Sequence, residues 1–398
     1  IDVSGLGNVN TGSPQYYAGG SHGGRGGSYS SYSSLPCFGS YLAPTNFGGG
    51  SYQYRGGGRM KIAAEMLQLD GQLLANGATT SGNNSCGAGA GGSIWLDVGV
   101  LQGAGAIRAN GGAATYYACG AGGGRIAVYY SDASGFGLTN RTSATGGSGY
   151  NSNYQSGGAG TRYLRNTNTA ESILLVDNTG ISGGANTELA GTLPDRVHFQ
   201  NAAVQLTGAA VWSNLTAVGA TVVQSGTAAA TNLALTNTVW TQNGTSAVAN
   251  LALTGGTYTH NAYLAVTESY ATAGGAQMVH NALYDFPGQT PGSLVVPVGE
   301  TLVVGGANPW TNATVYGTLR LNASVAWTNV RVDGGVLEAN AAQQWDALQV
   351  VNAGRVTHAA GSAAGLQLTV GQLAVSSNSS IDVSGLGNVN TGSPQYYA

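Results

Sequence analysis

Three cysteines are the side chains whose spacing first suggests chemistry. Cys86 and Cys119 occupy equivalent places in the matching contexts NNSCGAGAGG and YYACGAGGG. If these segments stack as neighbouring strands, about 4.8 Å apart, their Cα atoms fall within the range that a disulfide bridges. The spacing therefore predicts a disulfide between Cys86 and Cys119; the alternatives are two stacked thiols or a pairing that involves Cys37. A disulfide would imply an oxidising, extracellular setting.

The remaining reactive side chains form no set that a known reaction requires. The 16 acidic residues are dispersed singly, as at Asp177, Asp285 and Asp346, and the five histidines are scattered. Glycoside hydrolysis needs paired carboxylates, calcium loops need a DxDxDG pattern, and serine hydrolases need a GxSxG turn. None of these patterns occurs. We therefore predict no catalytic, metal or cofactor-binding residues, no cofactor, and a protein that is not an enzyme.

Polar side chains recur with a fixed spacing in the second half of the chain. Three columns share the spacing that separates Asn214 from Asn232: Asn214, Asn232 and Asn250; Gln224, Gln242 and His260; and Arg320 with Glu338. Stacked amides bond to one another between adjacent strands of cross-β arrays, so the asparagines predict a stacking ladder. The arginine and glutamate predict an ion pair between strands. We interpret all three columns as structural.

Composition excludes several classes of protein. Of 398 residues, 67 are Gly, only 7% are charged, and the net charge is −3 with Lys61 as the sole lysine. Apolar residues make up 42%, which is too many for a disordered chain of high charge. No strict Gly-X-Y period indicates collagen, no long apolar run indicates a membrane-spanning helix, and no basic patch indicates a nucleic-acid partner.

Apolar side chains recur with the same spacing between about 196 and 380, in short runs that alternate with polar residues. Leu215, Leu233 and Leu251 form one such column, and Leu319 and Leu337 belong to another. Alternation with a period of two predicts strands with one buried face. Their regular recurrence predicts an all-β fold, a parallel β-helix or solenoid, which we expect to be right-handed because parallel crossovers nearly always are.

The first part of the chain predicts longer repeats. Ile62, Ile94 and Ile126 are evenly spaced and begin similar strands, and the segments between are Gly-rich. We interpret these segments as loop excursions, the largest over residues 6–58. Many of the 21 tyrosines lie in them, where they pack one loop on its neighbour or, alternatively, bind carbohydrate.

These motifs resemble a known class of repeats. GGGRMKI, AGGSIWL and GGGRIAVYY, with their partners LLANG and IRANG, look like the Gly-rich parallel β-helix repeats of very large bacterial cell-surface or secreted proteins. The resemblance covers residues 1–130. It implies an adhesin-like or structural surface protein and no defined chemistry.

The most informative feature is a duplication. Residues 1–18 and 381–398 are identical, IDVSGLGNVNTGSPQYYA, which gives a period of 380 residues and predicts a window of a longer tandem array. We predict a wide, Gly-rich part at 1–165, a lean part with 18-residue turns at 166–380, and the start of the next copy at 381–398. Stacked at about 4.8 Å per turn, one repeat would span roughly 65–80 Å.

The predicted function is therefore structural: the repeat unit of an extracellular or cell-surface fibre or giant surface protein. Its expected partners are identical units joined head to tail, covalently or by self-assembly, with no nucleic acid and no membrane span. The alternatives are an adhesin that binds glycans or surfaces and a polysaccharide-active β-helix enzyme.

Overall fold

The computed structural model describes residues 1–11, 16–82, 85–282, 284–285, 293–305, 308 and 310–387. It divides into two compact units, Ile1–Gly226 and Thr227–Ala398. Their regular elements are almost all β-strands, mostly in parallel pairs, so the predicted all-β class is confirmed. In the described part of the chain, no helix has the length and apolar character needed to cross a membrane.

The described residues of the first unit form twelve strands and one short helix. These are β1 (Arg59–Gln68), β2 (Gln72–Leu74), β3 (Ser93–Gln102), β4 (Ala106–Arg108), β5 (Arg125–Asp132), α1 (Leu138–Arg141), β6 (Thr142–Ser143), β7 (Thr161–Asn166), β8 (Ser172–Asp177), β9 (Asn186–Thr192), β10 (Arg196–Gln200), β11 (Ala203–Val218) and β12 (Thr221–Gln224).

The described residues of the second unit form fifteen strands. These are β13 (Ala228–Gln242), β14 (Ser246–His260), β15 (Leu264–Ala273), β16 (Gln277–His280), β17 (Tyr284–Asp285), β18 (Ser293–Val296), β19 (Thr301–Val304), β20 (Asn312–Val315), β21 (Thr318–Leu321), β22 (Asn329–Asp333), β23 (Val336–Ala339), β24 (Gln343–Val351), β25 (Arg355–Thr357), β26 (Leu368–Val375) and β27 (Ser380–Ile381).

In the first unit, the long strands β1, β3 and β5 lie side by side in parallel, and Ile94 of β3 and Ile126 of β5 are fully buried. Ile94 pairs with Ile126, as predicted. The prediction for Ile62 is wrong, because Ile62 pairs with Leu96 and it is Met60 that lies opposite Ile94. The true register therefore differs by two positions from the one that the isoleucine spacing predicts. A shift of two positions keeps every side chain on the same face of a strand, so the alternation alone could not detect it.

One pair of strands breaks the parallel rule. β7 and β8 are antiparallel, with Arg165 opposite Ser172. The boundary predicted at residue 165 lies at this hairpin, whereas the two compact units meet at Gly226. The division by repeat length therefore does not coincide with the division into compact units.

In the second unit, parallel strands pair in the register that the sequence repeat predicts. Leu233 lies opposite Leu251, and Leu319 lies opposite Leu337; all four are nearly or fully buried. A separate five-stranded sheet runs in the order β18-β20-β22-β24-β26. Parallel strands with a repeated register and one buried face are compatible with a β-helix.

Glycine runs within the predicted loop excursions are closely packed, buried backbone, as at residues 87–92 and 119–124, whereas much of the segment 6–58 is exposed. Successive amides of residues 87–92 donate to carbonyl groups of three neighbours in a fixed order: the segment 6–58, the segment 119–124 and the segment 75–78. The same order repeats over the next three residues. The amides of residues 119–124 likewise donate in turn to carbonyl groups of three neighbouring segments. A period of three residues is that of the polyproline II helix.

This packing explains the abundance of glycine. A Cβ atom added to Gly120 would lie 1.9 Å from the carbonyl oxygen of Gly147, and one added to Gly92 would lie 1.8 Å from that of Gly58. Neighbouring backbones therefore approach too closely for any side chain. The few alanines between them, such as Ala88, Ala90 and Ala121, form a small buried cluster of their own.

Candidate assembly interface

The duplicated peptide is described at both ends of the chain, beginning with its first copy. The amide of Leu74 in β2 donates to the carbonyl of Ile1 at 2.9 Å, and the amide of Val3 donates to the carbonyl of Leu74 at 2.8 Å. Asp2 lies opposite Leu74 in this parallel bridge. The backbone groups of the odd-numbered residues therefore face β2.

The second copy is bonded through its other side. The amide of Ser380 donates to the carbonyl of Gly354 at 3.0 Å, and the amide of Asp382 donates to the carbonyl of Val356 at 2.9 Å. Ile381 lies opposite Val356 in parallel register. Asp382 of this copy, and Ser380 just before it, therefore face β25.

Both copies fold in the same way after the strand. The carboxylate of Asp2 accepts the amide of Ser4 at 2.8 Å, and that of Asp382 accepts the amide of Ser384 at 2.9 Å. A hydrogen bond from the hydroxyl of the following serine, and then one from its amide, lower the pKa of Asp2; for Asp382 the amide of Ser384 is the larger cause of the lowered pKa. The next residue is a glycine with positive φ in each copy, at 63° and 69°. The peptide thus keeps one local conformation in two settings.

The strand that precedes the second copy is an edge strand with core side chains. β26 pairs with β24 and ends its sheet. Leu373 and Val375 lie opposite Leu348 and Val350, which are fully buried, yet they are themselves 51% and 43% exposed. They continue an apolar column that nothing in the described chain covers.

The first long strand, β1, also has apolar side chains that are incompletely buried. β1 pairs with β3, whose Ile94 and Leu96 are fully buried. The opposing side chains of β1, Met60 and Ile62, are only partly buried, although they pack against the same apolar core.

No protein-family model, curated protein or solved structure matches this chain. What the two edges bind must therefore be argued from their own geometry.

In the structure, Cys37, Cys86 and Cys119 are all thiols, and the disulfide between Cys86 and Cys119 stays a prediction. The amide of Ala88 donates to the carbonyl of Cys119, which places Cys119 opposite Gly87 rather than opposite Cys86. Burial raises the pKa of Cys119 to about 12 and that of Cys37 to about 11. Protonated thiols are poor nucleophiles, so none of this supports cysteine chemistry.

The asparagine column is divided between the two units. In the second unit, the side-chain amide of Asn250 donates to the side-chain oxygen of Asn232 at 3.1 Å. In the first, the side chain of Asn214 lies 3.5 Å from the carbonyl of Asp195. Further asparagine contacts were missed from sequence, although their regular spacing could have revealed them. These contacts are Asn261 to Asn243, Asn281 to Asn261, Asn329 to Asn312 and Asn340 to Asn322.

The other two polar columns are also structural contacts. Arg320 and Glu338 form the predicted ion pair at 3.3 Å. His260 lies opposite Gln242 on one side and His280 on the other, and the two imidazoles are hydrogen-bonded. Burial lowers the pKa of His260 to about 4 and holds the pKa of His280 well below its ordinary value.

The described residues were compared with what metal binding and glycoside hydrolysis require of their side chains. Among them, no three His, Cys, Asp or Glu side chains lie together as metal ligands would. A crevice of about 490 Å³ holds Asp177 as its single carboxylate, bonded to Arg162 at 3.1 Å, beside His198. Glycoside hydrolysis needs two carboxylates, and this crevice supplies one.

Proposed function

We propose that this chain is the structural repeat unit of an extracellular fibre or giant cell-surface protein, a β-solenoid that stacks end to end on identical units. The observation that carries the proposal is the complementary bonding of the duplicated peptide. One copy bonds the following strand through residues 1 and 3, and the other bonds the preceding strand through residue 382, with Ser380, just before the copy, bonded to the same side.

These two sets of bonds are compatible in a single strand. Successive residues of a β-strand direct their amide and carbonyl groups to opposite sides, so one peptide can bond both neighbours at once. Overlaying the two copies gives a continuous parallel ladder in which Val356, Asp382 and Leu74 of the next unit belong to three successive strands. The duplicated peptide is then the shared strand at the junction.

The flanking strands support the same junction. β26 precedes β27 by a short turn, just as β1 precedes β2. When the shared strand is overlaid, β1 of the following unit comes to lie along the free edge of β26. The exposed Leu373 and Val375 are then covered by the apolar face that begins with Met60 and Ile62. This removes both unpaired edges, which otherwise invite non-specific association.

The covalent form of this assembly is favoured over self-assembly of separate chains. Both copies of the peptide lie in one polypeptide, which favours units that are joined through the chain. Each unit then buries its ends only against its neighbours, as in other repeat proteins.

The proposal can be tested with two variants of a two-unit chain, which carry the same substitution either in the first unit or in the last. Leu373→Asp in the first unit would bury a charge at the junction and lower the free energy of unfolding by several kcal/mol, about what an unpaired buried charge costs. The matched control is Leu373→Asp in the last unit, where the side chain remains half exposed and the loss is small. Equal unfolding temperatures for the two variants would contradict end-to-end stacking.

A further inference from the structure

Nine tyrosines of the first unit form one connected cluster of rings. They are Tyr16, Tyr17, Tyr29, Tyr32, Tyr52, Tyr116, Tyr117, Tyr150 and Tyr154, joined by centroid distances of 4.3 to 6.4 Å. Most of these pairs are tilted or edge-to-face, the arrangements that aromatic rings prefer. The Gly-rich segments thus carry a patch of mutually packed phenols.

Among the exposed rings of this cluster, Tyr117 and Tyr150 make the closest contact; Tyr16 and Tyr52, also exposed, are 5.6 Å apart. The centroids of Tyr117 and Tyr150 are 4.9 Å apart, and their side chains are 44% and 39% exposed. The amide of Tyr150 donates to the carbonyl of Ala118 at 3.1 Å, so the backbone holds the two rings side by side. Tyr29 and Tyr154 are closer, at 4.3 Å, but Tyr154 is buried.

Phenols are also the one abundant group in this chain that can form cross-links. There are 21 tyrosines but a single lysine, and the three cysteines are thiols in the structure. Oxidation of cysteine follows thiolate character and exposure. Cys119 and Cys37 have raised pKa values, which disfavours their thiolates. An oxidant therefore meets exposed phenols rather than exposed thiolates on this face.

We propose that Tyr117 and Tyr150 are a site of oxidative phenol coupling that forms a dityrosine cross-link between adjacent Gly-rich segments. A one-electron oxidant, such as a haem peroxidase using hydrogen peroxide, removes one electron and one proton from each phenol. The two tyrosyl radicals join through their ortho carbons, and each ortho carbon then loses its hydrogen to the phenol oxygen as aromaticity returns. In total, one carbon–carbon bond forms, two hydrogen atoms are lost, and one peroxide is reduced to two waters.

This site goes beyond the proposed function, because it needs no second unit. The link joins two segments of one chain that backbone hydrogen bonds already hold in place. It therefore adds a covalent staple to a region whose stability otherwise depends on close backbone packing. An exposed fibre would gain resistance to unfolding from each such staple.

Peroxidase treatment of the folded chain, followed by tryptic digestion and mass spectrometry, tests the site. Cleavage after arginine places Tyr117 in the peptide 109–125 and Tyr150 in the peptide 142–162. The expected product is these two peptides joined, lighter by two hydrogen atoms than their sum, with dityrosine fluorescence. The variants Tyr117→Phe and Tyr150→Phe retain the packed rings but lack a phenol, and each should abolish this product.

A matched control distinguishes the site from general oxidation. Tyr263→Phe removes a phenol that is also 44% exposed but lies in the second unit, and it should leave the yield of the linked peptides unchanged. The proposal is overturned if the treated wild-type chain lacks the 109–125 to 142–162 product. It is equally overturned if Tyr150→Phe gives that product in undiminished yield, since the link would then belong to Tyr154.

Discussion

At the scale of single residues, the absence of a side chain matters most in this protein. In the closely packed glycine runs of the first unit, such as residues 119–124, neighbouring backbones occupy the space where a Cβ atom would lie. Elsewhere glycine serves ordinary turns, as at Gly385 with φ of 69°. The same residue type thus has two physical roles, and only the structure separates them.

A pair of glycine substitutions tests this distinction. In Gly120→Ala, the new methyl group would lie 1.9 Å from the carbonyl oxygen of Gly147, so the backbone must shift. We expect a loss of about 1–3 kcal/mol or more in the free energy of unfolding, the usual cost of overpacking. Gly71→Ala is the control, since nothing lies within 4 Å of its Cβ position. Thermal unfolding should separate the two variants, and equal melting temperatures would refute the close-packing explanation.

At the scale of elements, the sequence predicts the strands of the lean part well. Repeated residues such as Leu233 and Leu251 indicate both the spacing of the strands and the face that is buried, and the structure pairs them as expected. The Gly-rich segments carry neither signal, because a polyproline II helix of glycine has no apolar side chains to count. The error at Ile62 arose for a related reason, since alternation fixes the face of a strand but not its offset.

The histidines that join β14 to β16 make the second unit sensitive to acid. Native pKa values of about 4 for His260 and well below normal for His280 lie beneath the unfolded value near 6.5. Above about pH 6.5 both states are neutral and pH has no effect through these groups. As the pH falls below that value, the unfolded state binds protons that the native state does not. Each histidine then removes about 1.4 kcal/mol of stability per pH unit until its native pKa is reached.

Denaturant unfolding between pH 7 and pH 4 measures this effect. His260→Gln replaces one imidazole by the side chain that Gln242 already places in the adjacent strand, and it should reduce the pH dependence by up to one proton. Leu264→Val changes a fully buried side chain that does not titrate. It should lower the free energy of unfolding by the same amount at every pH. If both variants retained the wild-type pH dependence, the buried pair would not be the cause.

At the scale of the whole molecule, both copies of the duplicated peptide expose large apolar side chains. Ile381 and Val383 are 39% and 46% exposed near one end, and Ile1 and Leu6 are 71% and 62% exposed at the other. Ile1 and Ile381 hold the same position in the duplicated peptide, and that position is exposed in both copies. A solenoid gains stability from each interface between neighbouring repeats. The number of joined units should therefore set the stability of the array.

Chains of one, two and three units test this expectation by thermal unfolding. Each junction covers Leu373 and Val375 and pairs two free strand edges, so the melting temperature should rise from one unit to two and again, by less, from two to three. The control replaces residues 381–387 at each internal junction by a flexible Gly-Ser linker of equal length, which keeps the units in one chain but removes the shared strand. Linker-joined units should melt like a single unit. If the native and linker-joined arrays melted together, the duplicated peptide would be a mere connection and the continuous ladder would be wrong.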